Sequence, residues 1–183
     1  IYRYMLGMSN SNNLKRRVII PSFDIEGNLN YYSARSIDND TRLRYINSKV
    51  KRTEIIFNEI NIDWKKELTI VEGPFDLLRC NDNVTCILGS SLNENFLLFK
   101  KIVANKTDVL LCLDSDAIYK SMKIAKILKS YCCNVRMLNI EGYEDVGEMD
   151  KKTFLIRKSS AKYFKSNDYL MEKISRLNSG SII

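Results

Sequence analysis

Histidine is absent from the 183 residues. That excludes catalysis through a Ser–His–Asp triad and any zinc site built with imidazole. The five cysteines (Cys80, Cys86, Cys112, Cys132 and Cys133) form no C-x-x-C pair, which argues against a structural zinc site. Their odd number and lack of a framework fit a reducing compartment. Cys86 and Cys112 sit inside apolar runs and read as small hydrophobes. No run nears the roughly 18 apolar residues of a membrane helix, and no signal-peptide pattern opens the chain, so no membrane association is expected. The first residue is isoleucine, which suggests a piece of a longer chain or one with disordered ends.

What is present is an ordinary globular balance, 45% hydrophobic and 28% charged residues, enough for one sizeable domain or a domain plus a small appendage. The net charge of +7 is unevenly spread. Residues 1–66 hold 12 basic against 7 acidic side chains, residues 67–150 hold 9 against 13, and residues 151–183 hold 8 against 2. An acidic middle between basic flanks suits a polyanion with a divalent cation, which points to nucleic acid.

The chain divides along the same lines. "RRVIIPSF" and "LNYYSARSI" are β-rich and separated by "DIEGN", whose Gly27 and Asn28 supply hairpin turn chemistry. A basic, irregular stretch follows to residue 66, ending in a short strand or helical turn; residues 1–66 form a small basic β-containing subdomain. From Glu67 strands alternate with helices. "ELTIVEG", "VTCIL", "DVLLCLD" and "NVRMLNI" read as strands. "PFDLLRC" begins a helix on proline, "NENFLLFKKIVAN" is a helix with Ser91 or Asn93 as its cap, and "AIYKSMKIAKILKSYC" is a helix with Lys120, Lys123, Lys126 and Lys129 facing solvent. Strands apolar almost throughout imply a parallel sheet covered on both faces, an α/β fold over residues 67–150. Residues 151–183 read as a basic helical segment.

Ligands of open α/β sheets bind beyond the carboxyl ends of the strands. Three strand ends here carry acids: Glu72 with Asp76 just beyond it, Asp114 with Asp116, and the loop holding Glu144, Asp145 and Glu148. Parallel strands would bring these carboxylates to one sheet edge, where they repel unless a cation intervenes. Mg²⁺ takes one or two carboxylates plus waters and phosphate oxygens. A D-x-D at a strand end is expected to turn both acids to the same side, and Asp76 to lie at a helix N-terminus whose dipole favours its ionised form. Each acid also has a bland reading as strand end, cap or solvated loop; their order on successive strand ends favours the metal site.

The succession strand-E-G-P-F-D, strand-D-S-D and acidic loop resembles a Toprim domain, a fold shared by bacterial-type primases, type IA and II topoisomerases and some nucleases. More specifically, the chain is similar over roughly residues 14–150 to primases of the bacterial and phage type. "RRVIIPSFDIEGNLNYYSAR" is similar to the segment before their Toprim domain, "RYINSK" to their Y-L-N-S element, "ILGSSLNENFLLFKK" to their G-T-S-L-T stretch, and "GYEDVGE" to their K-D-P-D-E loop. The last departs from the pattern, lacking the proline and second aspartate. The basic subdomain is short, and neither a Cys/His zinc module nor a G-K-[ST] phosphate loop is present.

The resemblance implies a Toprim-like parallel sheet flanked by helices, acting as the RNA-polymerising core of a DNA primase. Glu72, Asp114 and Asp116 would be catalytic. Mg²⁺ or Mn²⁺ would be held by Glu72, Asp76, Asp114, Asp116 and Asp145. Arg17, Arg35 and Lys49 would bind template and nucleotide phosphates. The implied partners are single-stranded DNA, ribonucleoside triphosphates and a replicative helicase, in the cytoplasm of a bacterial cell or phage-infected host. A Toprim nuclease using the same acids to activate water is the alternative, and a non-catalytic nucleic-acid-binding domain the second.

Overall fold

The computed structural model describes residues 3–80 and 83–178; the last five positions of the basic segment 151–183 lie outside them. Two sheets meet across a shared core. The first is antiparallel, in the order β1 (Arg17–Phe23), β2 (Leu29–Ser36), β3 (Tyr45–Asn47). The expected hairpin joins β1 to β2. The Asp24 carboxylate accepts from the Glu26 and Asn28 amides at 3.1 and 2.8 Å, and Gly27 takes the positive φ of 86° that the turn requires. Gly7 bridges Ile19 on the open side of β1, which otherwise remains an edge and so tolerates Pro21. β3 is a strand within the stretch expected to be irregular; it pairs with β2 through Tyr45, Ile46 and Asn47.

The second sheet runs β5 (Val84–Cys86), β4 (Leu68–Val71), β6 (Val109–Cys112), β7 (Val135–Met137), β8 (Lys162–Tyr163). The first four are parallel, as expected; β8 is an antiparallel edge strand from the segment expected to be wholly helical. Every residue of β4, β5 and β6 is buried, which explains why their sequences do not alternate. On one face, Leu68, Ile70, Val109 and Leu111 pack against α1 (Leu97–Asn105) and α2 (Ile118–Ser130) through Phe99, Ile102, Ile124 and Leu128. On the other, Val71, Leu110 and Cys112 meet Ile20, Tyr31 and Phe57 from the N-terminal part and Phe154 from α3 (Lys151–Ser159). A final helix, α4 (Ser166–Asn178), stacks Tyr169 on Tyr119 of α2, with ring centroids 5.7 Å apart.

The sheets divide near residue 66, yet the packing does not. Residues 53–66 are sewn to the parallel sheet: Thr85 Oγ1 donates to the Phe57 carbonyl at 2.6 Å, Asn58 Nδ2 to the Val84 carbonyl at 2.9 Å, and Thr107 Oγ1 to the Trp64 carbonyl at 2.7 Å. Glu67, at the foot of β4, pairs with Arg136 at 3.3 Å and Lys158 at 3.1 Å and so fastens α3 to the sheet.

Two expected helix starts differ. "PFDLLRC" yields only a 3-10 turn, Asp76–Arg79. Helix α1 begins later than expected, with Phe96 at the cap position and no side-chain cap. Asn93 instead closes the preceding turn, accepting from the Asn95 amide at 3.0 Å, and the Leu97 amide donates to the Thr53 carbonyl at 2.8 Å. The four lysines of α2 are exposed, as their spacing implied. Among the described residues no helix is long and apolar enough to cross a membrane.

Candidate active site

β5 and β6 flank β4 on opposite sides, so the connections leaving β4 and β6 diverge there and open a crevice at the carboxyl edge. Glu72 follows β4 directly, and Asp114 stands two residues beyond β6. The Ser115 amide donates to the Glu144 carbonyl at 2.9 Å, which pulls the third acidic loop against the second. A cleft of about 920 Å³ results, with Glu72, Asp76, Asp114, Glu144, Asp145 and Glu148 along one side. Arg35 from β2, Arg44 just before β3, and Tyr45 form the facing wall.

Asp76 is held by the Gly73 amide, which donates to its Oδ2 at 2.9 Å. A four-residue turn has almost no macrodipole, so the expected help from a helix N-terminus is replaced by this one bond. Asp145 Oδ1 accepts the Glu148 amide at 3.0 Å and caps the turn Val146–Glu148. Gly147 allows the two aspartates their approach: a Cβ there would lie 2.9 Å from Asp76 Oδ1 and 3.0 Å from Asp145 Oδ1.

The electrostatics show how far this cluster is from balance. Burial, then the charges of Glu72, Asp76, Asp145 and Asp116, push the Asp114 carboxyl up to about 7. Burial also raises Asp76 to about 6, with the Gly73 hydrogen bond and Arg35 opposing and Asp145 and Glu72 adding. Glu72 is raised by burial and by Asp116, against Lys120 and an amide bond from Asp114. Its Oε2 is buried with no hydrogen-bond partner. Such an atom costs about 1–3 kcal/mol unless something positive reaches it. Among the described residues no three acids converge into a ready-made cage. The donor set therefore fits a hard cation that takes one or two carboxylates here and completes its shell with water and phosphate.

The expected site residues are placed unequally. Glu72, Asp76, Asp114 and Asp145 come together in the cleft. Asp116 lies outside its lining, in the exposed first turn after Asp114, though close enough to act on Glu72. The expectation that D-x-D alternation aims both acids alike fails because the strand ends at Cys112, before either of them. Arg35 reaches the cleft, lying 5.5 Å from the Phe75 ring and 5.7 Å from that of Tyr45.

Arg17 does not reach the cleft. It is buried, and its guanidinium donates to the carbonyls of Leu43 at 2.6 Å, Arg44 at 3.2 Å and Ala34 at 3.5 Å. Its donors hold the sheet together and are not offered to phosphate. Lys49 is exposed two residues past β3 and outside the cleft lining; Ser48 is anchored by the Tyr32 amide at 2.8 Å, and the turn then carries Lys49 away. Replacing Arg17 by methionine is accordingly expected to cost about 2 kcal/mol of stability by urea denaturation. The salt dependence of oligonucleotide binding by the folded protein should not change, because no phosphate contact is removed.

Sequence reasoning missed Arg44 and Arg79, both on the cleft wall. Arg79 Nε donates to the Gly147 carbonyl at 3.3 Å, linking the first and third acidic loops. The signal for Arg44 was its place immediately before "YINS"; that for Arg79 was its single turn beyond Asp76.

The chain is similar to known proteins in both sequence and fold. It is 30% identical over 112 residues to a DNA primase of Mycoplasma pneumoniae and 32% identical over 114 residues to that of Mycoplasma genitalium. Each match covers 56% of this chain and 18% of the relative, so the chain spans under a fifth of the curated relatives' length. The primase of Aquifex aeolicus, solved as its zinc-binding and RNA polymerase domains, superposes with a TM-score of 0.69 at 25% identity, over 92% of this chain and 48% of that one. A primase catalytic domain bound to single-stranded DNA superposes with a TM-score of 0.67 at 18% identity, over 88% and 57%. No family model matches the chain. The fold is that of the Toprim-type primase catalytic core.

Proposed function

We propose that the chain is the catalytic part of a DNA primase, joining ribonucleotides into short primers on single-stranded DNA. The observation that carries this reading is the convergence of Glu72, Asp76, Asp114 and Asp145 in a cleft whose other wall presents Arg35 and Arg44. Acids alone would suit several hydrolases. A carboxylate edge facing a basic sheet suits a reaction between two polyanions.

One or two of Glu72, Asp76, Asp114 and Asp145 would hold each Mg²⁺ or Mn²⁺, with water and phosphate completing the shell and Asp116 adding charge from the rim. When bound, the cation offsets negative charge on the transferring phosphoryl group. The chain's own contribution is positional and electrostatic. Arg35 and Arg44 hold phosphates of the strand against the carboxylates. Their approach lets a 3′-hydroxyl meet the α-phosphate of the next nucleotide, with pyrophosphate leaving. Glu72 Oε2, buried and unpartnered, is the acceptor for the hydroxyl proton.

The test is primer synthesis on single-stranded DNA with labelled ribonucleotides, in Mg²⁺ and in Mn²⁺. Short RNA products support the reading. Metal-dependent cleavage of the template without products would instead make the chain a Toprim nuclease.

The carboxyl environment also fixes a pH dependence. Protons compete with the cation for Asp76 and Asp114, which titrate near 6 and 7 in the metal-free protein. Mg²⁺ affinity, read by titration calorimetry, is expected to rise about tenfold or more from pH 6 to pH 8. A flat profile would mean that neither acid binds the ion.

A further inference from the structure

Opposite the basic sheet, the loop after β5 forms a second lip of the cleft. Leu88 and Gly89 line the cavity beside Glu72 and Asp114, and the Gly89 amide donates to the Glu72 carbonyl at 3.3 Å. Two cations from distant parts of the chain meet beside this lip, just beyond the residues that line the cleft. Arg52, from the segment before the parallel sheet, donates to the Ser91 hydroxyl at 3.2 Å and the Leu88 carbonyl at 3.3 Å. Its guanidinium also sits 5.7 Å from the Phe96 ring. Lys120, from α2, donates to the Ser90 hydroxyl at 2.8 Å. Neither cation forms a salt bridge with a described residue, although an acidic cluster stands close by. Both are exposed.

Leu88 and Gly89 take positive φ values of 54° and 141°, and a Cβ on Gly89 would collide with the Arg52 guanidinium. Among the described residues, neither the Ser90 nor the Ser91 amide donates to a backbone carbonyl. Two like charges brought to adjacent hydroxyls, with no described acid paired to either, suit an anion.

We infer that Arg52, Lys120, Ser90 and Ser91 form a cradle for the polyphosphate tail of the incoming ribonucleoside triphosphate. This rests on the primase reading and adds to it where the leaving pyrophosphate is held. A triphosphate is a compact polyanion, matched to two convergent cations and two hydroxyls. A nucleic-acid strand spreads its charge, one per phosphate, and the opposite wall with Arg35 and Arg44 suits that better. The cradle on one lip and the basic sheet on the other leave the α-phosphate between them, over the carboxylates.

The test is binding of a non-hydrolysable triphosphate analogue, α,β-methylene-ATP, with Mg²⁺ by calorimetry, beside single-stranded oligonucleotide binding across a salt series. Lys120→Gln and Arg52→Gln should each weaken analogue binding about tenfold, the scale of one lost charge-assisted hydrogen bond. Oligonucleotide affinity and its salt slope should stay as in the wild type. Arg52 also ties two parts of the fold, so Lys120→Gln, at an exposed side chain, decides the matter if Arg52→Gln lowers the melting temperature. Equal analogue binding by wild type and Lys120→Gln overturns the cradle alone. A shallower salt slope with unchanged analogue binding overturns it too and makes the lip a strand contact. A wild-type protein that binds no analogue overturns the primase reading together with the cradle.

Discussion

Asp114→Asn is expected to lower primer synthesis at least about a hundredfold, the scale of losing one group that stabilises transition-state charge, while making the metal-free protein more stable at pH 8. The two effects come from one cause. Asp114 stands among Glu72, Asp76, Asp145 and Asp116 in a half-buried position, and its carboxyl titrates near 7 where an ordinary aspartate titrates near 3.8. A folded-state value above the unfolded one means that the native state holds the proton more tightly. The favourable contribution is full below pH 4 and is lost as pH rises through 7. Above that, the charged group burdens the fold. Discounted for solvent screening, the burden is about 1 kcal/mol, or roughly 2–4 °C in melting temperature for a chain of this size. Asparagine keeps the shape and removes the charge. The gain should appear at pH 8, vanish near pH 4, and shrink in the wild type's favour when Mg²⁺ is added. Thermal melts at the two pH values, with and without the ion, read all of this. A loss of stability at pH 8 would show Asp114 to be a structural group.

Phe57→Ala is expected to cost about 3–5 kcal/mol in urea denaturation, the range for truncating a fully buried aromatic. Phe57 is 1% exposed and lies between the sheets. It meets Tyr31 edge-on at 6.1 Å, and its cluster joins Ile20 of β1 to Val84 and Leu110 of the parallel sheet. Its loss removes the filling between the wall that carries Arg35 and the edge that carries the acids. Activity per folded molecule should therefore also fall, since the two walls no longer hold their spacing. Phe57→Leu keeps most of the volume and should recover most of the stability, to within about 1.5 kcal/mol of wild type. Equal loss in both variants would place the effect elsewhere than in packing.

Much of this molecule follows from local chemistry. Runs apolar almost throughout at 68–71 and 109–112 required strands covered on both faces, and both were found so. The "DIEGN" turn needed one residue at positive φ, and Gly27 supplies it. Acids placed after successive parallel strands had to reach one edge, because parallel strands share a direction. The apolar β4 and β6 thus carried Glu72 and Asp114 to adjacent positions by pattern alone.

Other features depend on contacts between parts far apart in the chain. Nothing in the composition of "RRVIIPSF" separates an arginine that binds phosphate from one that binds backbone; the loop at residues 43–44 makes Arg17 the second kind by folding its carbonyls over it. Strand β8 forms because β7 leaves an open edge, and two residues have too little pattern to announce themselves. The Arg52–Ser91 and Lys120–Ser90 contacts join residues 39 and 30 positions apart. Period and turn chemistry act over a few residues, so the sequence by itself determined the hairpin, the four parallel strands and the edge where the acids gather. Side-chain partners are chosen by whatever the closed chain brings within hydrogen-bond reach, so only the tertiary structure decided which basic residues face the cleft, which are consumed in holding it together, and what stands on its second lip.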